Sequence, residues 1–161
     1  MPAADHGDRA RIGVVSDTHG LLRPEAIAFL DGCDHIVHAG DIGKPDILNA
    51  LAGLAPLAAI RGNIDTGDWA ANLPDTLLVD ACGIRLHVLH DLKQLALDPV
   101  AEGVAVVVSG HSHKAVVAER GGVLLLNPGS AGPRRFRLPV TIAELRVERG
   151  RIVPRIETLL D

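Results

Sequence analysis

The chain has 161 residues, 47% of them hydrophobic and only 2% aromatic, and a formal net charge of −4. This length suits one domain whose core is aliphatic, which favours sheets covered by helices and therefore the α/β class. The negative charge and scarce aromatic side chains argue against a polymeric nucleic acid as ligand, because neither a positive surface nor stacking partners are available to it.

The chain shows no targeting or membrane segment. Its start lacks the apolar stretch of a signal peptide, and no apolar run approaches the ~20 residues that cross a bilayer. We expect a cytoplasmic protein with no membrane partner, a single domain over 1–161 and a loose extension over 1–10. Cys33 and Cys82 match no metal or disulfide spacing, so buried free thiols are expected. A homo-oligomer is compatible with this composition.

Short apolar runs rich in valine or isoleucine predict seven strands. They cover 12–16, 35–39, 56–61, 84–89, 104–109, 123–127 and 140–147. The last alternates with polar residues, as an edge or antiparallel strand does. Helices are predicted over 24–33 and 44–54, each with proline in its first turn and glycine near its end. Strand and helix alternate early, which predicts parallel βαβ units, whereas the strand-rich second half predicts mixed sheets.

Polar side chains that can bind metal follow most of these strands. Ligands of open α/β sheets bind at the carboxyl ends of the strands. The candidate metal ligands are Asp17, His19, Asp41, Asn63, His90, His111 and His113. This mixture of oxygen and nitrogen without thiolate suits manganese, nickel, iron or zinc, and seven ligands suffice for two ions. We expect two divalent ions, with manganese as the first candidate.

Two divalent ions about 3.5 to 4 Å apart are a recurrent device for hydrolysing phosphate esters, with a bridging hydroxide as nucleophile. The motifs DTHG, HAGD, RGN, the lone His90, GHSH and NPGS occur here in this order. Together they resemble the calcineurin-like metallophosphoesterase superfamily, and in particular its small single-domain bacterial and archaeal phosphodiesterases. The likeness runs from about residue 12 to 145.

The resemblance implies a four-layer α/β/β/α sandwich of two mixed sheets flanked by helices, with a dinuclear site at one sheet edge. Its ligand assignment is Asp17, His19 and His113 for one ion, Asn63, His90 and His111 for the other, and Asp41 as the bridge. The spacing of the paired histidines has a physical reason, because residues i and i+2 of an extended segment project to one side. The two histidines could then serve different ions.

Two positions depart from the family pattern. Many members have a histidine after the Gly-Asn pair, thought to protonate the leaving group, where this chain has Ile64. Small or activated phosphodiesters are therefore expected to react better than phosphomonoesters. Asp65 is the nearest titratable substitute and joins Asn63 as a candidate catalytic residue, although a solvated loop carboxylate is an equal interpretation. Asp91 replaces a common glycine, and its effect on metal or substrate stays open.

Several polar residues admit plainer interpretations. Arg134 and Arg135 are candidates to bind substrate phosphate, although basic turns are usually only solvated. The NPGS segment reads as a tight turn in the site wall, and His38 and His87 as packed or supporting histidines. Two alternatives to the small-molecule phosphodiesterase remain: a phosphomonoesterase or nucleotidase at the same site, and a metal-binding interaction scaffold like the retromer subunit of similar fold.

Overall fold

The computed structural model describes residues 9–160. Within them lie ten strands, two α-helices and two short 3₁₀ helices. The strands are β1 (Arg9–Val15), β2 (His35–His38), β3 (Leu57–Ala59), β4 (Thr76–Ala81), β5 (Ile84–Leu89), β6 (Val106–Val108), β7 (Val116–Arg120), β8 (Val123–Asn127), β9 (Val140–Glu148) and β10 (Arg151–Leu160). The helices are α1 (Pro24–Leu30) and α2 (Pro45–Ala52), and the 3₁₀ helices are Asp68–Ala70 and Leu92–Gln94.

The strands form two five-stranded mixed sheets, as predicted. The first has the order β10-β9-β1-β2-β3 and the second β4-β5-β6-β8-β7. In each sheet three neighbouring strands run parallel. In the first, β9 pairs antiparallel with both β1 and β10, and in the second β4 and β7 pair antiparallel with their neighbours. Aliphatic side chains from both sheets, such as Ile12, Val14, Leu86, Val106 and Leu145, share one buried cluster. The sheets therefore pack face to face.

Each sheet also has an outer layer. Helices α1 and α2 cover the first sheet, where Leu30 and Leu51 pack in one cluster with Ile36. Both helices begin with a proline, whose φ is already helical, but they end at Leu30 and Ala52, earlier than predicted. Over the second sheet, Leu92 of the 3₁₀ helix packs against Val107. The sandwich is confirmed, with a 3₁₀ helix and loop as the outer layer of the second sheet.

Strands β4, β7 and β10 were not predicted, and all three are edge strands. Strand β7 is exposed along its whole length, so its sequence lacks the apolar run of a buried strand. Strand β10 contains Pro154, which an edge strand tolerates and a central strand does not. At the other end of the sequence, β1 begins at Arg9, so Arg9 and Ala10 belong to the sheet rather than to a loose extension. Residues 1–8 of that expected extension lie outside the described residues.

Both cysteines are free: Cys33 is buried as expected, whereas Cys82 is half-buried. Among residues 9–160, no helix combines the length and apolar character needed to cross a membrane. The cytoplasmic location stays a prediction.

Candidate metal centre

Four strands of the two sheets deliver polar side chains to one edge of the sandwich. Asp17 and His19 follow β1, Asp41 follows β2, and His90 follows β5. The paired histidines come after β6. Six of these side chains form two groups whose ligand atoms lie within 4.8 Å of one another: Asp17, His19 and His113, and Asp41, His90 and His111. The first group consists of the three residues that the resemblance assigned to one ion, and the second combines His90 and His111 with Asp41, the expected bridge, but does not include Asn63.

The two groups touch each other through their carboxylates. Asp41 Oδ2 lies 3.2 Å from His90 Nε2 in its own group and 3.6 Å from His19 Nε2 in the other. Asp17 Oδ1 lies 3.5 Å from His113 Nε2 and 3.9 Å from His90 Nε2. The bridging position predicted for Asp41 is compatible with these distances. Asp17 also faces both groups.

The backbone of the site is strained. Positive φ angles of 46° to 72° occur at five of the six ligand residues, namely Asp17, His19, Asp41, His111 and His113. This left-handed conformation is uncommon without glycine, although aspartate and histidine tolerate it better than most residues. Such strain costs of order 1–3 kcal/mol per residue and clusters at functional sites. Hydrogen bonds from Asp17 N to Gly40 O (3.0 Å) and from His19 N to Asp41 O (2.9 Å) fix the strained loops.

The paired histidines reach different groups, but not for the predicted reason. His111 and His113 both have left-handed backbone, with φ of 72° and 65°, so the segment is not extended. The ring of His113 lies 5.2 Å from that of His19, and the ring of His111 lies 5.1 Å from that of His90. The expectation of an extended segment was wrong, and the tight loop directs the two rings apart.

The atoms that converge here require a cation or a proton between them. His90 Nδ1 lies 2.8 Å from Ala39 O and must donate to it, so Nε2 of the neutral ring presents a lone pair to Asp41 Oδ2. Asp17 Oδ1, His19 Nε2 and His90 Nε2 are buried and have no hydrogen-bond partner among the described residues. Each such atom costs about 1–3 kcal/mol. Divalent cations bound by both carboxylates and the imidazoles would satisfy all of them, so the residues fit the expected metals.

Burial shifts the ionisation of the first group toward neutral forms. It raises the pKa of Asp17 to about 6, against the hydrogen bond from Ser16. Burial also lowers the pKa of His113 to about 4, helped by the positive charges of His19 and Arg135, and it lowers the pKa of His19. Unprotonated imidazoles are the form that binds metal.

The second group behaves as a coupled acid and base. Burial acts to lower the pKa of His90, but the contact with Asp41, the Ala39 carbonyl and the charge of Asp17 together outweigh it, and the pKa is raised. Burial likewise acts to raise the pKa of Asp41, but the interactions with His90 hold it below its usual range. Without metal, both shifts favour a protonated His90 beside an ionised Asp41.

Neighbouring groups hold the carboxylates in place. Asp17 Oδ2 accepts hydrogen bonds from Ser16 Oγ (2.7 Å) and His111 N (3.2 Å), and Asp41 Oδ1 accepts one from Ile64 N (3.2 Å). These approaches require glycine nearby. A Cβ on Gly62 would lie 2.2 Å from Asp41 Oδ1 and one on Gly110 would lie 2.1 Å from Ser16 Oγ.

The NPGS segment supports the loop of the paired histidines. Asn127 Nδ2 donates to Gly110 O (3.0 Å) and Ser112 Oγ (3.2 Å), while its Oδ1 accepts from Gly129 N (2.9 Å). The sequence predicts only a turn at this segment and does not show that Asn127 holds the loop of the paired histidines. A buried amide at the end of an apolar strand was the available signal.

His38 is a supporting residue and not a ligand. Its Nδ1 accepts from Gly40 N (3.1 Å), and its Nε2 lies 3.0 Å from Thr18 Oγ1, which itself donates to Ile42 O (2.8 Å). Complete burial lowers the pKa of His38 to about 3. The neutral ring therefore ties the loop after β1 to the loop after β2. His87 packs similarly, with Nδ1 3.1 Å from Leu77 O.

Asp65 is neither a solvated carboxylate nor a side chain directed at substrate. It is 1% exposed, and its oxygens accept hydrogen bonds from the N–H groups of Ile42 (3.0 Å), Gly43 (3.0 Å) and Gly62 (2.9 Å). The carboxylate thus joins the GD loop to the GN loop from within. This arrangement disfavours the catalytic role expected for Asp65. Asn63 is exposed and lines a cleft with His90 and His111, and its roles as ligand and catalytic residue stay predictions.

Arg134 and Arg135 lie on the surface after the NPGS turn. The positive charge of Arg135 contributes to the lowered pKa values of His19 and His113, so its field reaches the first ligand group. Substrate binding by either arginine stays a prediction.

Comparison with known proteins agrees with this geometry. The sequence profile of the calcineurin-like phosphoesterase superfamily domain matches residues 11–150. The chain belongs to this superfamily. A probable metallophosphoesterase of Methanothermobacter thermautotrophicus is 36% identical over 150 residues, which cover 85% of this chain and 86% of the relative. A phosphodiesterase of Methanocaldococcus jannaschii is 28% identical, over 74% of this chain and 82% of the relative.

A solved structure supports the fold of this calcineurin-like phosphoesterase. Vps29 of Entamoeba histolytica, in complex with zinc, has a TM-score of 0.76 at 22% identity and covers 94% of this chain and 93% of its own. The predicted family is confirmed. The protein is a metal-dependent phosphoric ester hydrolase with two candidate groups of metal ligands.

Proposed function

We propose that this phosphoesterase is a phosphodiesterase that hydrolyses small or activated phosphodiesters with two divalent cations. The observation that supports this most is the pair of three-residue ligand groups, which both carboxylates connect. Manganese is the first candidate, with nickel, iron and zinc as alternatives that the same ligands suit. Asn63 joins the second group in this proposal.

The chain's own residues orient the side chains that would bind the cations. The hydrogen bond from His90 Nδ1 to Ala39 O keeps Nε2 available, and Ser16 and His111 N hold Asp17 through its other oxygen. Bound between these groups, two divalent cations would supply a water of lowered pKa as nucleophile and positive charge for the phosphate oxygens. Arg135 adds a further positive charge beside His19 and His113, which favours an anionic substrate there.

In this proposal, diesters are preferred to monoesters because, in the described part of the chain, the site has no side chain placed to protonate the leaving group. Ile64 is 42% exposed at the position where many relatives carry a histidine, and it has no proton to give. Asp65 faces backbone N–H groups beneath the surface. Because neither residue protonates a leaving group, substrates with good leaving groups are favoured. This argues against the phosphomonoesterase or nucleotidase alternative.

The test compares bis(p-nitrophenyl) phosphate with p-nitrophenyl phosphate after chelation and reloading with manganese, nickel, zinc or magnesium. We expect metal-dependent turnover that is faster for the diester, and its loss in Asp41→Ala and His113→Ala. His35→Gln is the matched control, since it changes a histidine at the opposite end of β2 from Asp41. Turnover that survives both ligand substitutions and chelation would contradict the proposal.

The second candidate function is a metal-binding scaffold for protein interaction. The likeness to Vps29 with zinc is the observation that favours it. This scaffold would bind two cations in calorimetry yet hydrolyse no diester or monoester with any metal. The phosphodiesterase would show both binding and turnover.

A further inference from the structure

Two clefts with different linings open beside His111. The larger, about 730 Å³, is lined mainly by polar residues, which include Arg61, Asn63, Thr66 and Gln94. The smaller, about 450 Å³, has an aliphatic patch among polar residues such as Lys93 and Arg120. The residues of this patch are Leu92, Val116, Leu125 and Leu126. We call them the polar cleft and the apolar groove.

The 3₁₀ helix Leu92–Gln94 separates the two. Gln94 lines the polar cleft, whereas Leu92 and Lys93 line the apolar groove, and Asp91 and His111 line both. Asp91 Oδ1 accepts a hydrogen bond from Lys93 N (3.1 Å) and so caps the first turn of this helix. Asp91 therefore fixes the dividing wall next to the candidate metal centre.

The two clefts, which meet at His111, match the shape of a phosphate that has two substituents. His111 belongs to the second ligand group, so a phosphate bound there lies at the junction of both clefts. The polar cleft offers amide, hydroxyl and carboxylate groups, including the Arg61–Asp75 ion pair at 2.9 Å, which suit the hydroxyls of a sugar or glycerol. The apolar groove offers its aliphatic patch, which suits an alkyl or aryl group.

We propose that the substrate is an unsymmetrical phosphodiester, with a hydroxylated substituent in the polar cleft and an apolar substituent in the apolar groove. This inference rests on the proposed phosphodiesterase function. It gives the helix Leu92–Gln94 a role in specificity. Asp91 is a positioning residue of this wall.

The apolar groove is tested by binding of uncleavable analogues. Methyl(phenyl)phosphinate and dimethylphosphinate are anions whose P–C bonds resist hydrolysis, and calorimetry measures their affinity for the manganese-loaded protein. We expect the phenyl compound to bind about tenfold more tightly, as one apolar group in a pocket does. Val116→Asp should abolish this preference. Val117→Asp is the matched control, because Val117 is similarly exposed on β7 (46% against 41%) but lines neither cleft.

The polar cleft is tested by turnover of 4-hydroxybutyl p-nitrophenyl phosphate against pentyl p-nitrophenyl phosphate, two esters of similar size whose hydroxyl, where present, is too far from phosphorus to displace p-nitrophenolate itself. We expect kcat/KM to be about tenfold higher for the hydroxybutyl ester, since the polar lining would otherwise stay unpaired. Gln94→Leu should reduce this ratio, and Val117→Asp should preserve it.

The outcomes distinguish this inference from the function on which it rests. Equal affinity for the two phosphinates, equal rates for the two esters, or equal effects of Val116→Asp and Val117→Asp would overturn the unsymmetrical substrate alone. Failure to hydrolyse any diester with any metal would overturn the phosphodiesterase as well.

Discussion

Two buried polar clusters adjoin strand β1, and they solve the problem of burying charge in opposite ways. Beside the strand, Glu144 is fully buried, and its oxygens accept hydrogen bonds from Arg11, Arg146 (2.8 Å) and Arg155 (3.1 Å). Burial acts to raise the pKa of Glu144, but the hydrogen bond from Arg11 and those from the other arginines outweigh it. At the carboxyl end of β1, carboxylate and imidazole lone pairs face one another with no hydrogen-bond partner in residues 9–160. A buried carboxylate that is paired with arginines indicates a structural role, whereas lone pairs that converge without a hydrogen donor indicate a metal site.

The largest effect is expected from a substitution in the candidate metal centre. Asp41→Asn should lower kcat/KM for bis(p-nitrophenyl) phosphate by about a thousandfold, because Asp41 faces both ligand groups. Asp17→Asn should reduce turnover as well, yet leave the metal-free protein as stable or more stable in urea at neutral pH, because burial raises the pKa of Asp17 to about 6 and the fold therefore disfavours its charged form. Loss of stability together with activity would place this site in the same class as the Glu144 cluster.

The second prediction concerns the charge-matched cluster. Glu144→Gln should lower the free energy of unfolding by about 3 kcal/mol, since it leaves arginines without their buried partner. Turnover per folded molecule should not change. Glu157→Gln is the control, because the Arg155–Glu157 pair is much more exposed and should change stability by less than about 1 kcal/mol. A variant that remains fully stable would show that the cluster does not hold β1, β9 and β10 together.

The third prediction separates the two ligand groups. His113→Ala and His111→Ala should each weaken a different manganese site, by about a hundredfold in affinity, whereas the double variant should weaken both. Calorimetry of the two binding steps measures this. If both single variants affected the same step, the two groups would not act as two cation sites.

The fourth prediction tests whether His38, although close to the metal ligands, belongs with the structural residues. Its folded pKa of about 3 lies below the unfolded value of 6.5, so the unfolded chain alone binds a proton between these values. Stability is therefore lost as pH falls through this window, by about 2 kcal/mol between pH 6.5 and pH 5. Urea unfolding in chelator measures the slope, and His38→Asn should flatten it. An unchanged slope would contradict the low pKa.

The sequence was most informative where local rules and burial agree. Central strands such as β1, β5 and β8 are apolar because both faces are covered, so short valine-rich runs located them. Three of the four edge strands, β4, β7 and β10, were not predicted because a strand with a solvent-exposed face needs no such run. The helices were predicted too long by a few residues because their ends depend on local capping.

The ligand residues were predictable in identity but not in conformation. An Asp or His at a strand end is visible in the sequence, and parallel strands bring those ends to one edge of the sheet. The left-handed backbone of His111 and His113 is not visible, because tertiary hydrogen bonds such as that from His111 N to Asp17 stabilise it. The burial of Asp65 was not visible in the sequence for the same reason, since two of its backbone partners, Ile42 and Gly43, come from a distant loop.

The sequence by itself determined the fold class, the family and the six candidate ligand side chains, because these follow from hydrophobic periodicity and from motifs at strand ends. The tertiary structure alone decided which lone pairs converge, which carboxylates are satisfied and how the clefts divide around His111. The physical reason is that these properties depend on contacts between residues far apart in the chain. The hydrogen bond between His90 and Ala39, for example, joins the two sheets and exists only after they have packed.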